Sequence, residues 1–108
     1  MTVNELSLKE GFRVISMPDG EREIKGAYIG DLLSWVMGRA GEDNAWITIM
    51  SNINVVAVAS LADVSCVVLS EGVTMEKDVL DTAEQKEINV LMSAAPSYET
   101  AVLISEKL

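Results

Sequence analysis

The sequence predicts a three-layer α/β domain with a mostly parallel sheet. Residues 44–62 contain no Asp, Glu, Lys or Arg, so other parts of the chain must cover this stretch on both faces. Within it, the β-branched run 46–50 indicates a buried strand and the small-residue run 54–61 a buried helix. From residue 45 onward, strand and helix patterns alternate. Strands joined by helices at this spacing imply right-handed crossovers and a parallel sheet with helices on both faces.

The N-terminal part supplies shorter elements. Residues 1–10 are expected to form a short helical or extended lead-in that ends at Gly11. Residues 12–16 alternate apolar and polar side chains, which predicts a strand that can lie at a sheet edge. After a turn at 17–20, residues 26–30 predict a short strand or extended segment.

The next predicted helix covers residues 32–40, with Asp31 as its N-cap. Its apolar residues fall on one arc that we expect to face the core: Leu32, Leu33, Val36, Met37 and Ala40. Trp35 lies on the flank of this arc and is expected at the edge of the core.

The C-terminal half completes the alternation. Residues 64–69 predict a second apolar strand, and Thr74 is the predicted N-cap of a helix from 75 to about 87. Residues 88–92 predict the third core strand and residues 97–107 the last helix. Because no internal repeat or linker is visible, the 108 residues are expected to form one domain.

Composition restricts the possible functions. The formal net charge of -9 argues against nucleic acid and anionic membranes as partners. The chain has no His, which is the commonest general base and metal ligand. We therefore predict no catalytic residue, no metal site and no cofactor. The single cysteine, Cys66, has no disulfide partner and is expected to be a small buried hydrophobe.

The uncharged stretch 44–62 is also long enough to be weighed as a membrane span. Asn52 and Asn54 argue against a span, because they lie near its middle, where unpaired amides are costly. The N-terminus lacks the basic start and apolar run of a signal peptide. A cytoplasmic protein is therefore expected.

A ligand site is expected beyond the carboxyl ends of the parallel strands, where helix N-termini present free N–H groups. The predicted ligand-binding residues are mostly small and neutral, and suit a polar ligand: Ser51, Asn52, Asn54, Ser70, Glu71, Gly72, Thr74 and Ser93. Ser97 lies at the same edge. The alternative interpretation is that these residues are helix caps and turn formers. Phosphate-loop motifs are absent.

Several blocks of the sequence resemble one family. They are the strand and Ala-rich helix 46–61, the strand and loop 66–72, the strand 88–92, and the helix start Ser97-Tyr-Glu-Thr-Ala101. Together they resemble the DRTGG domain, a small α/β module similar to the N-terminal domain of HPr kinase/phosphorylase. The last block resembles the family pattern Thr-[Phe/Tyr]-Glu-Thr-Ala.

The resemblance extends upstream to residue 24, because blocks 28–38 and 46–54 look like those of stand-alone clostridial-type members. The Asp-Arg-Thr-Gly-Gly signature itself is absent. Met50-Ser51-Asn52-Ile53 stands where related domains carry a Gly-Asp-Arg-like turn, and the loop 70–72 keeps one of the glycines expected there. The resemblance implies a non-catalytic regulatory or assembly module, since kinase and transferase chemistry resides in other domains of those proteins.

The first functional hypothesis is a regulatory domain that acts as a homo-oligomer, most simply a dimer, and senses a small polar ligand such as a nucleotide. The oligomer is inferred from Trp35, Trp46 and a mean hydropathy of +0.26, which suggests apolar surface left to cover. The alternative is a protein-interaction module that docks on a larger enzyme or signalling complex without a ligand of its own. A phosphotransfer or hydrolytic enzyme with Glu71 as its base is the least favoured hypothesis, because no His or evident buried carboxylate supports it.

Overall fold

Five strands and five helices make up the structure, a computed structural model that describes all 108 residues. The strands are β1 (Phe12–Ser16), β2 (Gly26–Ile29), β3 (Asn44–Thr48), β4 (Cys66–Leu69) and β5 (Val90–Ser93). The helices are α1 (Val3–Ser7), α2 (Leu33–Arg39), α3 (Ile53–Ala62), α4 (Lys77–Gln85) and α5 (Ser97–Ser105).

The strands form one sheet in the order β1-β5-β4-β3-β2. Strands β2 to β5 are parallel to one another, and β1 pairs with β5 antiparallel. Helices α2, α3 and α4 connect the parallel strands and share one apolar core with them, whereas α1 and α5 belong to a second core on the other face. The predicted three-layer α/β class with a mostly parallel sheet is confirmed.

The central strands are buried on both faces. In β3, Trp46 belongs to the core under α2, α3 and α4, while its neighbours Ala45 and Ile47 belong to the core under α1 and α5. All three side chains are fully buried. Cys66 is also fully buried, as predicted, and this burial raises the pKa of its thiol to about 12. The middle of β3 and all of β4 are apolar because neither of their faces meets water.

The predicted N-cap of α2 is wrong. Leu32 occupies the cap position without a side-chain hydrogen bond. The Asp31 carboxylate instead accepts hydrogen bonds from the Thr48 hydroxyl (2.7 Å) and the Ile49 N–H (3.0 Å). Asp31 therefore bonds to Thr48 and Ile49 at the end of β3 instead of to the backbone N–H groups of α2. It fixes the chain after β3 and does not cap α2.

The core face of α2 is also narrower than predicted. Val36 is buried, and Leu33 and Ala40 pack against the same core, but Leu32 and Met37 are 60% and 48% exposed. The main helix contact of α2 is with α3, and one side of its apolar arc stays exposed.

The helix after β4 starts later than predicted. It begins at Lys77 with Glu76 as N-cap, so the prediction of Thr74 as N-cap is wrong. Residues 70–75 form a loop instead, in which Glu71 and Gly72 adopt left-handed conformations (φ 61° and 71°). Met75, at the end of this loop, is buried in the core under α4, and the chain turns helical after that anchor.

Arg22 ties together the loops at the amino ends of the parallel strands. Its guanidinium lies 2.9 Å from a carboxylate oxygen of Asp43 and 2.9 Å from one of Asp63, and it also donates to the Asp63 carbonyl. Both aspartates have left-handed backbones (φ 64° and 57°). The hydrogen bond from Arg22 lowers the pKa of the Asp43 carboxyl. One cation therefore holds two strained turns in place.

The two tryptophans provide a test of this packing. Trp46 is fully buried and its indole N–H donates to the Gly30 carbonyl (2.9 Å), whereas Trp35 is 55% exposed. Trp46→Phe leaves the Gly30 carbonyl without its donor, so we expect this substitution to lower the free energy of unfolding by about 1 to 3 kcal/mol. Trp35→Phe, the matched control, should change it by less than about 0.5 kcal/mol when both variants are measured at protein concentrations too low for association. Urea denaturation measures both, and equal midpoints for the two variants would contradict this assignment.

Candidate ligand site

The carboxyl ends of the strands meet at one edge of the sheet, where the sequence places the ligand-binding residues. The chain leaves β4 toward α4 on one face and leaves β5 toward α5 on the other. Such a divergence is the switch point at which open α/β sheets usually bind ligands. The loops that border it are 70–76 and 94–96.

These two loops close the switch point by bonding to each other. The Glu71 N–H donates to the Ala95 carbonyl (2.9 Å), and the Gly72 N–H donates to the Ser93 carbonyl (2.8 Å). A ligand between β4 and β5 would have to break these backbone bonds. The crevice is therefore occupied by the protein's own main chain.

The serine hydroxyls at this edge are also paired internally. The Ser70 and Ser97 hydroxyls lie 2.8 Å apart, and the Ser93 and Thr100 hydroxyls lie 2.7 Å apart. Ser70, Ser93 and Thr100 are buried. Each hydroxyl thus has a partner inside the protein, which is the usual state of a buried polar group.

Asn52 is the N-cap of α3. Its side-chain oxygen accepts the Asn54 N–H (2.9 Å), which satisfies one of the free donors of the first turn. The Asn54 side chain is exposed at the start of the helix. The capping interpretation is correct for Asn52.

An open cleft of about 360 Å³ lies between the starts of α3 and α4. It is lined by Ser51, Asn52, Ile53, Glu76, Asp78 and Val79. Two of the predicted residues, Ser51 and Asn52, therefore line the same open cleft, but Glu76 and Asp78 also line it with two carboxylates. An unaccompanied phosphate would meet like charge there.

The predicted residues thus fall into separate environments. Ser51 and Asn52 line the cleft. Ser70 and Ser93 are buried in internal pairs, while Asn54, Glu71, Gly72 and Thr74 are exposed.

Sequence reasoning missed the residues that complete this edge: Asp31, Thr48, Glu76, Asp78 and Thr100. A signal existed for Thr100, which is the threonine of the Ser97-Tyr-Glu-Thr-Ala101 block. The others depend on contacts between segments that lie far apart in the chain, and no local pattern marks them.

A second cleft, of about 260 Å³, is lined by Met1, Glu5, Lys9 and Lys107 and contains none of the predicted residues. No group of three or more His, Cys, Asp and Glu side chains is placed to hold a metal ion. No helix has both the length and the apolar character needed to cross a lipid bilayer.

Comparison with known families assigns the fold. The sequence profile of the DRTGG domain matches residues 14–107. The chain belongs to the DRTGG domain family. The resemblance of the blocks in the sequence is thereby confirmed, although this DRTGG domain lacks the residues for which the family is named.

A solved structure has the same fold as this DRTGG domain. It comprises the CBS and DRTGG domains of the regulatory region of a Clostridium perfringens pyrophosphatase, complexed with the activator diadenosine tetraphosphate. The two chains are 15% identical with a TM-score of 0.70, over 90% of this chain and 43% of that one. This chain thus spans less than half of that regulatory region. No curated protein sequence matches this DRTGG domain.

The internal pairing of the edge hydroxyls can be tested by a double-mutant cycle. Ser97→Ala leaves the buried Ser70 hydroxyl without its partner, so we expect a loss of about 1 to 3 kcal/mol in the free energy of unfolding. Ser70→Ala combined with Ser97→Ala should cost less than the sum of the single changes, with a coupling of at least about 0.5 kcal/mol. Ser60→Ala, at an exposed position in α3, is the control. Strict additivity would show that the two hydroxyls do not bond.

Proposed function

We propose that this DRTGG domain is a non-catalytic regulatory domain that acts as a homo-oligomer through protein contacts. The observation that carries the proposal is a concentration of exposed apolar side chains around strand β2, which we name the β2 edge surface. It consists of Ile29 (50% exposed), Leu32 (60%), Trp35 (55%) and Ile49 (46%). The four side chains flank one sheet edge on both faces, and exposed apolar side chains gathered in this way are typical of sites of protein association.

The β2 edge surface has a rigid base. The Gly30 N–H donates to the Ile47 carbonyl (3.1 Å), and Asp31 accepts the Ile49 N–H (3.0 Å). The segment that carries Ile29 and Leu32 is therefore held against the segment that carries Ile49. Trp35 is further ordered by Arg39, whose guanidinium carbon lies 4.1 Å from the ring centroid. A rigid apolar surface loses little conformational entropy on association.

The edge of the sheet supports a role in contacts rather than in chemistry. The hydroxyls of Ser70 and Ser93 are buried and paired inside the protein, so neither is exposed to a substrate. Glu71, the acid considered as a base, is exposed. An exposed carboxylate without a hydrogen-bonded partner is a weak general base. The net charge of -9 further favours a protein partner over nucleic acid or an anionic membrane. We place the domain and its partner in the cytoplasm.

A second candidate function is nucleotide sensing, and two observations favour it. The structural neighbour is a regulatory region complexed with diadenosine tetraphosphate, and this chain has an open cleft lined by Ser51 and Asn52. Glu76 and Asp78 restrict the charge of the part of the ligand that enters the cleft. They favour a neutral part of the nucleotide, such as the base or ribose, or phosphates that arrive with a divalent cation.

The oligomeric state tests the first proposal directly. We expect sedimentation equilibrium at tens of micromolar to give at least twice the 11.7 kDa of the single chain. Raising the salt concentration should leave the association intact, because apolar burial is not screened. A monomer throughout this range would overturn the homo-oligomer.

A thermal-shift screen tests the second candidate. The ligands are adenine and guanine mononucleotides, cyclic dinucleotides and dinucleoside polyphosphates, each with and without Mg²⁺. At about 100 times its dissociation constant a ligand stabilises by about 2.7 kcal/mol, which raises the Tm of a domain this size by several degrees. Asn52→Ala should reduce the shift, whereas Ser60→Ala, outside the cleft, should not. No shift with any ligand would reject nucleotide sensing and leave the assembly proposal standing.

A further inference from the structure

The two edge strands of the sheet differ in how they are protected. Strand β1 carries the exposed Arg13 and has a register shift between Val14 and Ser16, two devices that discourage pairing with another strand. Strand β2 has the sequence Gly-Ala-Tyr-Ile, with no charge, no proline and no register shift. The N-terminus pairs with the chain just before this strand, where the Ile24 N–H donates to the Met1 carbonyl (2.8 Å). Along residues 26–29 no strand lies on the outer side of β2, so that side is free to accept one.

The register of β2 identifies the backbone groups on that outer side. Ile29 is aligned with Ile47, and the Gly30 N–H donates to the Ile47 carbonyl. In a parallel ladder, alternate residues direct their N–H and C=O groups toward the partner strand. Ala27 and Ile29 consequently direct theirs away from the sheet, and both residues are exposed.

A second copy of the chain matches this edge in one particular register. A two-fold axis at Tyr28 runs the two β2 strands antiparallel and places Ala27 opposite the partner's Ile29. Both residues face outward, so they form pairs that exchange both N–H···O bonds. With the axis at Ala27, Ile29 would lie opposite a residue outside the partner's β2. With the axis at Ile29, the same would hold for Ala27.

The same register is complementary in charge. It brings Lys25, which is 69% exposed and lies 3.6 Å from Asp43 of its own chain, opposite the partner's Asp31, which is exposed and whose carboxylate also accepts the Thr48 hydroxyl and the Ile49 N–H. The chain has 17 acidic and 8 basic residues, so most arbitrary contacts between two copies would bring acids together. Opposite charges at the two ends of the paired strands favour this register over others.

We infer that two copies of this chain join through their β2 strands, antiparallel about a two-fold axis at Tyr28, into one continuous sheet. This inference rests on the proposed homo-oligomer and names the surface that forms it. Ile29, Leu32 and Trp35 flank the junction and supply apolar area beside the backbone bonds. The interface is isologous, as a closed dimer requires.

A matched pair of edge variants tests the location of the interface. Ile29→Lys places a charge on β2, and Val14→Lys places the same charge on β1 at a similarly exposed position (50% and 47%). We expect Ile29→Lys to raise the dimer dissociation constant at least about tenfold, because a charge on an edge strand opposes pairing. Val14→Lys should leave the constant unchanged. Urea denaturation of both variants controls for folding.

A cross-link tests the register independently of those variants. Residues of a hydrogen-bonded antiparallel pair have Cα atoms about 5.5 Å apart, a distance that a disulfide spans. An equimolar mixture of the Ala27→Cys and Ile29→Cys proteins should form a disulfide dimer on mild oxidation faster than either protein alone. Cys66 is buried and does not compete.

The outcomes separate the two proposals. A dimeric native chain that keeps its affinity in Ile29→Lys, or that gives no preferential disulfide in the mixture, would overturn the β2 interface and leave the homo-oligomer intact. A native chain that is monomeric overturns both. Weakening confined to Ile29→Lys together with the mixed disulfide supports the interface and its register.

Discussion

Burial of β3 and β4 on both faces is the constraint on which the rest of the structure depends. Their side chains alternate between two apolar cores, so each face needs a cover of its own. The crossover helices α2, α3 and α4 cover one face automatically, because they connect the strands. The other face is covered by α5 and by the N-terminal segment, whose Val3, Leu6 and Ile24 are buried. The family profile starts at residue 14, but Val3 and Leu6, which lie before it, belong to this second core.

The edge at the carboxyl ends of the strands shows how this DRTGG domain departs from a ligand-binding α/β sheet. In the usual arrangement, N–H groups and hydroxyls at the switch point have no partner inside the protein and bind the ligand. Here Glu71 and Gly72 donate to the loop before α5, and the nearby hydroxyls are paired. The polar groups thus stabilise the junction of β4, β5 and α5. Free space exists one strand further along, at the start of α3.

The sequence predicted the class of the fold, because the class follows from periodicity and from the direction of the strands. The ligand site at the carboxyl ends of the strands stays a prediction. The sequence failed where a side chain had local and distant partners to choose from. Asp31 has the position of a helix cap, but the Thr48 hydroxyl and the Ile49 N–H bind it instead. The partner of Ser70 is 27 residues away. No local pattern specifies such hydrogen bonds, so only the three-dimensional structure shows that these polar groups are paired inside the protein.

The packing of α2 on α3 has a consequence for regulation. The start of α3 lines the open cleft, and α2 directly follows β2, the strand of the free edge. A ligand that shifted α3 would therefore displace α2 and alter the geometry of that edge. By thermodynamic reciprocity, a ligand that tightened association at β2 would itself be bound more tightly by the associated form, and by the same factor. If the cleft takes a ligand and the β2 edge pairs, the contact between α2 and α3 is the physical link between the two events.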